Sequence, residues 1–170
     1  MINQPTKFIL HHTAVSYVKN PNQLKATNQY HKDKGFNKSE LGYYTGYHYE
    51  ISAAGVVTQT RKIEEEGCHT IGENTSSIGI CLDGDFDNEQ PTSAQVASLK
   101  ALLLQLSDQY AIYNVFPHRK YANKTCYGSL LSDTWGQDII RSSVLQKIQE
   151  KIQWLTEQIA NIFKRSDKMK

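Results

Sequence analysis

Apolar and polar positions along this chain follow two alternating kinds of spacing. Short apolar runs typical of strands occur at residues 7–13, 47–51, 56–60, 77–82 and 113–117, and the second and third of these flank a turn at 52–55 as in a hairpin. Helical spacing occurs at residues 21–34, after Thr92, and at 137–163. Strands separated by helices favour a sheet covered on both faces. We therefore predict an α/β fold: a single domain with a central mixed β-sheet flanked by helices, and a long C-terminal helix.

The segment after Pro91 carries the clearest helix signal. Thr92 and Gln95 match the capping-box pattern, in which the two side chains satisfy each other's free backbone N–H groups. The apolar residues that follow recur at helical spacing: Val96, Leu99, Leu102, Leu103, Leu106 and Tyr110.

The C-terminal helix carries an apolar heptad stripe, made of Leu145, Ile148, Ile152, Leu155, Ile159 and Ile162. It covers about two and a half heptads, short of the three to four that indicate a coiled coil. Packing against the chain's own domain is the favoured interpretation. The alternatives are a homodimer seam and an interfacial membrane helix ending in the basic pair Lys164-Arg165. We divide the chain into a main domain at 1–136 and a helical extension at 137–170, packed on the domain or projecting from it.

The chain has 170 residues and a formal net charge of +2. This length fits one domain with a substantial core, and the charge is too small to indicate nucleic-acid binding. No apolar run approaches the roughly 18 residues of a membrane span, and the apolar segment at 8–10 is too short for a signal peptide. We expect synthesis in the cytoplasm without a signal peptide. The charged segment at 61–66 is expected to be solvated, with no assigned function.

An imidazole, an amine and a thiol occur together in residues 118–126, directly after the last predicted strand. Eight extended residue steps span roughly 26–29 Å, so His118 and Cys126 can bind one metal only if this segment folds back as a loop. A zinc site needs a third protein ligand, and the end of the first strand supplies His11 and His12. Because adjacent strand residues face opposite sides, only one of these two should reach such a metal.

The other two cysteines, Cys68 and Cys81, allow two interpretations. They are either small buried thiols in a reducing compartment or a disulfide joining two paired strands. The lack of a secretion signal favours the free thiols.

Five short motifs follow one another in order: Leu10-His11-His12-Thr13-Ala14, Gly46-Tyr47-His48-Tyr49, Gly67-Cys68-His69-Thr70 with Gly72 and Asn74, Ser77-Ile78-Gly79-Ile80, and His118-Arg119 with Lys124-Thr125-Cys126. Together they resemble the zinc-dependent N-acetylmuramoyl-L-alanine amidases, which include phage lysozyme-type endolysins and peptidoglycan recognition proteins. Each motif alone is weak, but the resemblance covers about residues 7–136.

The resemblance implies one Zn²⁺ ion held by His11, His118 and Cys126, and it favours His11 over His12 as the ligand. It also implies that Tyr47 and Lys124 are catalytic. The chemistry is consistent with this assignment. Two neutral imidazoles and a thiolate leave the zinc site positively charged, which brings the pKa of a bound water toward about 7.

Three further residues are candidate substrate contacts: His69, Asn74 and Tyr44. In the family that the chain resembles, the loop with His69 and Asn74 borders the substrate groove. A loop-anchoring hydrogen bond is an equal alternative for His69, and ordinary packing is an alternative for Tyr44. His48 follows Tyr47 on a strand, should point away from it, and is interpreted as structural.

The implied function is zinc-dependent hydrolysis of the amide bond between N-acetylmuramic acid and L-alanine in peptidoglycan, as in endolysin-like lysis. The expected partner is peptidoglycan or a muropeptide, reached at the cell wall after release. The alternatives are a non-catalytic peptidoglycan-binding recognition module and a cytosolic muropeptide-recycling amidase. The presence of Cys126, Tyr47 and Lys124 together favours catalysis, because binding alone needs no complete metal site.

Overall fold

The computed structural model describes residues 2–167, with side chains described through residue 162. Its strands are β1 (Lys7–His12), β2 (Tyr49–Ile51), β3 (Val57–Gln59), β4 (Ser77–Leu82) and β5 (Val115–Pro117). They form one five-stranded sheet in the order β3-β2-β4-β1-β5. β2 and β3 are antiparallel, whereas β2, β4, β1 and β5 run parallel. The predicted mixed sheet and its hairpin are confirmed.

The helices are α1 (Leu24–Asp33), α2 (Ser93–Tyr110) and α3 (Trp135–Asp167), with a short 3₁₀ turn at His118–Lys120. The predicted capping box opens α2: Gln95 N donates to Thr92 Oγ1 (3.1 Å) and Thr92 N donates to Gln95 Oε1 (3.0 Å). α1 begins at Leu24, later than predicted, and the side chain of the preceding Gln23 donates to Val15 O and Asn20 O instead of lying along a helix.

The two faces of the sheet have different partners. One face packs against α2 and α3 and forms the hydrophobic core, with Phe8, Leu10, Ile78, Ile80 and Leu82. Because side chains alternate along a strand, His11, Gly79 and Cys81 face the other side, toward α1 and the loops. Parallel pairing aligns His11 with Cys81 and Cys81 with Glu50 in one row across this second face. Polar chemistry is therefore collected on the side away from the core.

α3 packs against the domain near its start, where Ile140 is buried and Val144 contacts the core. The residues of the heptad stripe are between 45% and 66% exposed. The stripe therefore stays largely open, contrary to the favoured interpretation that it packs on its own domain. The basic pair Lys164-Arg165 lies outside the described side chains. In the described part of the chain, no helix has both the length and the apolarity needed to cross a membrane.

The charged segment at 61–66 contains a buried arginine. Arg61 is 4% exposed; its Nε donates to Thr45 O (2.7 Å) and its Nη2 donates to Asn37 O (2.6 Å). The prediction of a solvated segment is wrong at this residue. The guanidinium group satisfies carbonyl groups of the loop that leads into β2, which compensates for its desolvation.

Candidate metal centre

Three side chains from distant parts of the chain converge at one edge of the sheet. His11 lies near the carboxyl end of β1, and His118 directly follows β5, the parallel neighbour of β1. The loop after His118 folds back, with Arg119 N donating to Cys126 O (2.6 Å), and this returns Cys126 to the same edge. The potential ligand atoms of His11, His118 and Cys126 all lie within 4.8 Å of one another.

The two ring nitrogens of His11 face different neighbours. Nδ1 lies 3.7 Å from Cys126 Sγ, whereas Nε2 lies 3.0 Å from His69 Nδ1. The ring centroids of His11 and His118 are 4.4 Å apart. Nδ1 of His11 is therefore the nitrogen that faces the thiol of the cluster.

His12, the alternative ligand, points away from this cluster. Its Nδ1 accepts a hydrogen bond from Phe86 N (3.0 Å), and the two rings are 5.8 Å apart. The alternation of side chains along β1 separates the adjacent histidines, so His11 joins the cluster and His12 does not.

Burial sets the protonation of the three side chains. Desolvation lowers the pKa of His11 well below its ordinary value and lowers the pKa of His118 to about 4, so both imidazoles are neutral at pH 7. Burial raises the pKa of the Cys126 thiol to about 12. Neutral imidazoles, and a thiol that loses its proton on coordination, are donors that Zn²⁺ takes in proteins. The chemistry of this donor set fits one zinc ion.

The cluster lines an open cavity of about 680 Å³. Tyr47 also lines it, with its ring centroid 5.0 Å from that of His11. Burial raises the pKa of the Tyr47 phenol well above its ordinary value, so the phenol keeps its proton. Lys124 lines the same cavity and is exposed, so this residue lies at the rim.

His69 lies against His11 on the second face of the sheet. Its Nδ1 is 3.0 Å from His11 Nε2 and 3.0 Å from Thr70 Oγ1. Two glycines leave space for the imidazole, because a Cβ at Gly67 or Gly79 would come within 2.5 Å of a carbon of that ring. His69 thus lines the cavity and also contacts a candidate ligand directly, a role that the sequence analysis missed.

The other two predicted substrate contacts do not line this cavity. Asn74 Oδ1 accepts from His69 N (2.9 Å) and Thr70 N (2.8 Å), so Asn74 anchors the loop that carries His69. Tyr44 lies beside Lys32, whose Nζ is 5.5 Å from the ring centroid. A substrate contact by Asn74 or Tyr44 stays a prediction.

His31 on α1 is a further residue of the cavity that was not predicted. It is buried, and its Nδ1 accepts from Gly46 N (3.1 Å). Its ring centroid lies 5.4 Å from that of Tyr47. The helical spacing at residues 21–34 does not show that His31 would meet Tyr47, because that contact joins distant segments of the chain.

Cys68 and Cys81 are free thiols. Cys68 lines the cavity and is partly buried, whereas Cys81 is fully buried on β4. The structure does not join these two cysteines in a disulfide.

Known proteins are similar to this chain in sequence. The family model described as N-acetylmuramoyl-L-alanine amidase matches residues 2–129. The endolysin of Klebsiella phage KP32 is 30% identical over 125 residues, covering 71% of this chain and 79% of the relative. Peptidoglycan-recognition protein SC2 of Drosophila simulans is 31% identical over 129 residues, covering 71% of this chain and 67% of the relative.

Solved structures show the same fold. The N-acetylmuramoyl-L-alanine amidase LysC from Clostridium intestinale URNW matches with a TM-score of 0.69 at 26% identity, covering 82% of this chain and 85% of that one. The family match includes all five strands and the whole cluster of His11, His118 and Cys126. The chain therefore belongs to the N-acetylmuramoyl-L-alanine amidase family, and it is a peptidoglycan amidase.

Proposed function

We propose that this amidase cleaves the bond between N-acetylmuramic acid and L-alanine with one zinc ion held by His11, His118 and Cys126. The observation that supports this most strongly is the convergence of the three ligand atoms, from opposite ends of the chain, to within 4.8 Å. When bound, a zinc ion with three protein ligands supplies Lewis acidity and lowers the pKa of a bound water.

Lys124 and Tyr47 are the side chains proposed to act on the scissile amide and on the attacking water. Negative charge develops on the carbonyl oxygen as water attacks, and the ammonium group of Lys124 at the cavity rim stabilises that charge. The protonated phenol of Tyr47 beside His11 either orients the attacking water or relays a proton. The resemblance to the family implies that both residues are catalytic, and their place in the cavity lining supports these roles.

His69 orients His11. A metal-binding imidazole generally donates the N–H of its other ring nitrogen to a hydrogen-bond partner, and this bond fixes the tautomer and the ring orientation. The partner here is His69 Nδ1, 3.0 Å from His11 Nε2. If His11 Nε2 carries the proton and donates to His69, then Nδ1 of His11 has its lone pair free for the metal.

Replacing His69 with alanine should weaken both zinc retention and wall clearing by about 10–100-fold, the usual cost of losing the partner of a ligating imidazole. Zinc retention is measured against a competing chelator, and clearing by the turbidity of purified walls. His69→Gln keeps an acceptor and should recover part of both. Loss of clearing with unchanged zinc retention in His69→Ala would contradict the orienting role and favour substrate contact.

The proposed setting is that of an endolysin, which acts on the cell wall after release, as the names of its phage relatives suggest. The purified protein should release new amino-terminal L-alanine from intact sacculi without new reducing sugar ends. It should do so faster than it cleaves soluble anhydro-muropeptide. A preference for the soluble fragment would favour a recycling amidase, and binding without release would favour a recognition module.

Pairing of two copies through α3 stays a prediction. The heptad stripe is open along its length in the single chain. Its heptad spacing, with polar neighbours such as Gln149 and Lys151, fits a seam between two helices, but it covers only about two and a half heptads, short of a coiled coil.

A further inference from the structure

Two buried carboxyl groups lie side by side on the second face of the sheet, outside the proposed zinc site. Glu50 belongs to β2 and is 2% exposed; Asp83 directly follows β4 and is 0% exposed. Asp83 Oδ2 accepts from Gln23 N (2.8 Å), at the start of α1. The pair therefore lies where α1 joins the sheet.

Most of the oxygen atoms of this pair lack a well-formed hydrogen bond. Asp83 and Thr27 lie within hydrogen-bonding reach of the Glu50 carboxyl, but among residues 2–162, whose side chains are described, no hydrogen bond of good geometry reaches either Glu50 oxygen or Asp83 Oδ1. No ion pair with a described basic side chain reaches them either. Buried polar atoms in folded proteins are almost always satisfied, so these three oxygens call either for a proton shared by the two carboxyl groups or for a ligand from outside the chain.

Two adjacent buried carboxylates cannot both carry charge without compensation. Desolvation, together with the neighbouring Asp83, raises the pKa of Glu50 to about 9. The free-energy cost of burying these two charges can be removed in two ways. A single shared proton neutralises one charge of the pair, whereas a divalent cation neutralises both.

The surroundings of the pair favour a cation. A cavity of about 50 Å³ adjoins the two carboxyl groups, which is room for an ion or a water molecule. Its polar lining is made of oxygen-bearing side chains: Asn22, Glu50, Ser52, Thr58 and Asp83. Carboxylate, amide and hydroxyl oxygens suit hard cations, unlike the nitrogen and sulfur donors of the proposed zinc site. Asn22 and Val56 at the lining are exposed, so an ion could enter from solvent.

We propose that Glu50 and Asp83 form a binding site for a hard divalent cation of the calcium or magnesium class. An ion there ties β2 and β4 to the start of α1 through Asp83, which already accepts from Gln23 N. α1 carries Tyr30 and His31, which line the cavity of the proposed zinc site. Cation binding at Glu50 and Asp83 therefore stabilises one wall of that cavity.

Calcium and magnesium titrations of the zinc-loaded protein test this site. We expect one of these ions to raise Tm of the parent by about 3–6 °C at roughly ten times its Kd, and equilibrium dialysis to give one bound ion per chain. Glu50→Gln keeps the shape of the side chain, removes the charge, and should lose both effects. Glu150→Gln makes the same change on the exposed surface of α3 and should respond like the parent.

The Cys126→Ala variant, which lacks a proposed zinc ligand, should still bind calcium or magnesium and show the same rise in Tm. The experiment therefore distinguishes a failure of the proposed cation site from a failure of the proposed zinc site. Asp83→Asn repeats the test from the second carboxyl group if Glu50→Gln does not fold. Absence of calcium and magnesium binding by the parent would overturn the proposal. A Glu50→Gln variant more stable than that parent at pH 8 would then assign the pair to a shared proton. Equal responses of the parent and Glu50→Gln would also overturn it, because the ion would bind elsewhere.

Discussion

Replacing Cys126 with alanine should abolish the clearing of purified cell walls, with a loss in rate of more than about 100-fold. Removing the hydrogen-bond partner of a metal ligand already lowers metal affinity or activity by about 10–100-fold. Cys126 is itself a proposed ligand, so its removal should cost more. Its sulfur lies 3.7 Å from His11 Nδ1, so its removal leaves only two imidazoles to hold the ion. Clearing is measured as the initial rate of turbidity loss at equal protein concentration.

The matched control for this experiment is Asn123→Ala. Asn123 is exposed on the same loop, three residues before Cys126, and it does not line the cavity. It should clear walls at the rate of the parent. Equal clearing by Cys126→Ala and the parent would mean that another residue carries the chemistry.

Replacing Lys124 with methionine should lower the rate of clearing by about 10²–10³-fold, the usual cost of removing one group that stabilises a developing oxyanion. Methionine keeps much of the length of the side chain and removes the charge. Zinc content should be unchanged, because Lys124 is not one of the three converging ligands. Initial rates and zinc content are measured on the same preparations.

Lys120→Met makes the same change in charge a few residues earlier. Its ammonium group lies 3.4 Å from the centroid of the Phe116 ring and does not line the cavity. This control should keep the rate of the parent. A Lys124→Met variant with full rate, or one that loses its zinc, would contradict the proposed role of Lys124.

Local patterns in the sequence were sufficient to predict the elements of the fold. The apolar run at Lys7–His12 and the capping box at Thr92 act over a few residues, and both appear in the structure as predicted. The sequence also predicts part of the convergence of His11 and His118. His11 lies at the end of the first predicted strand and His118 directly after the last, and parallel strands end at one edge of a sheet. That β1 and β5 are neighbours could not be read from either segment alone.

Features that depend on contacts between distant segments were not predictable from spacing. The buried Arg61 is satisfied by the carbonyl groups of Thr45 and Asn37, which come near it only in the folded chain. His69 meets His11 because glycines on two different segments leave room for its ring. Glu50 and Asp83 meet because β2 and β4 pair in parallel, and the sequence does not state that register.

The number of zinc ions per chain, measured together with wall clearing, tests the proposed metal centre most directly. We expect one zinc ion in the parent, and none in Cys126→Ala after both have been dialysed against the same weak chelator. We also expect that a stronger chelator stops clearing by the parent and that one equivalent of zinc restores it. A zinc-free parent that clears walls at full speed, or a Cys126→Ala variant that retains a full equivalent, would contradict a centre built on His11, His118 and Cys126.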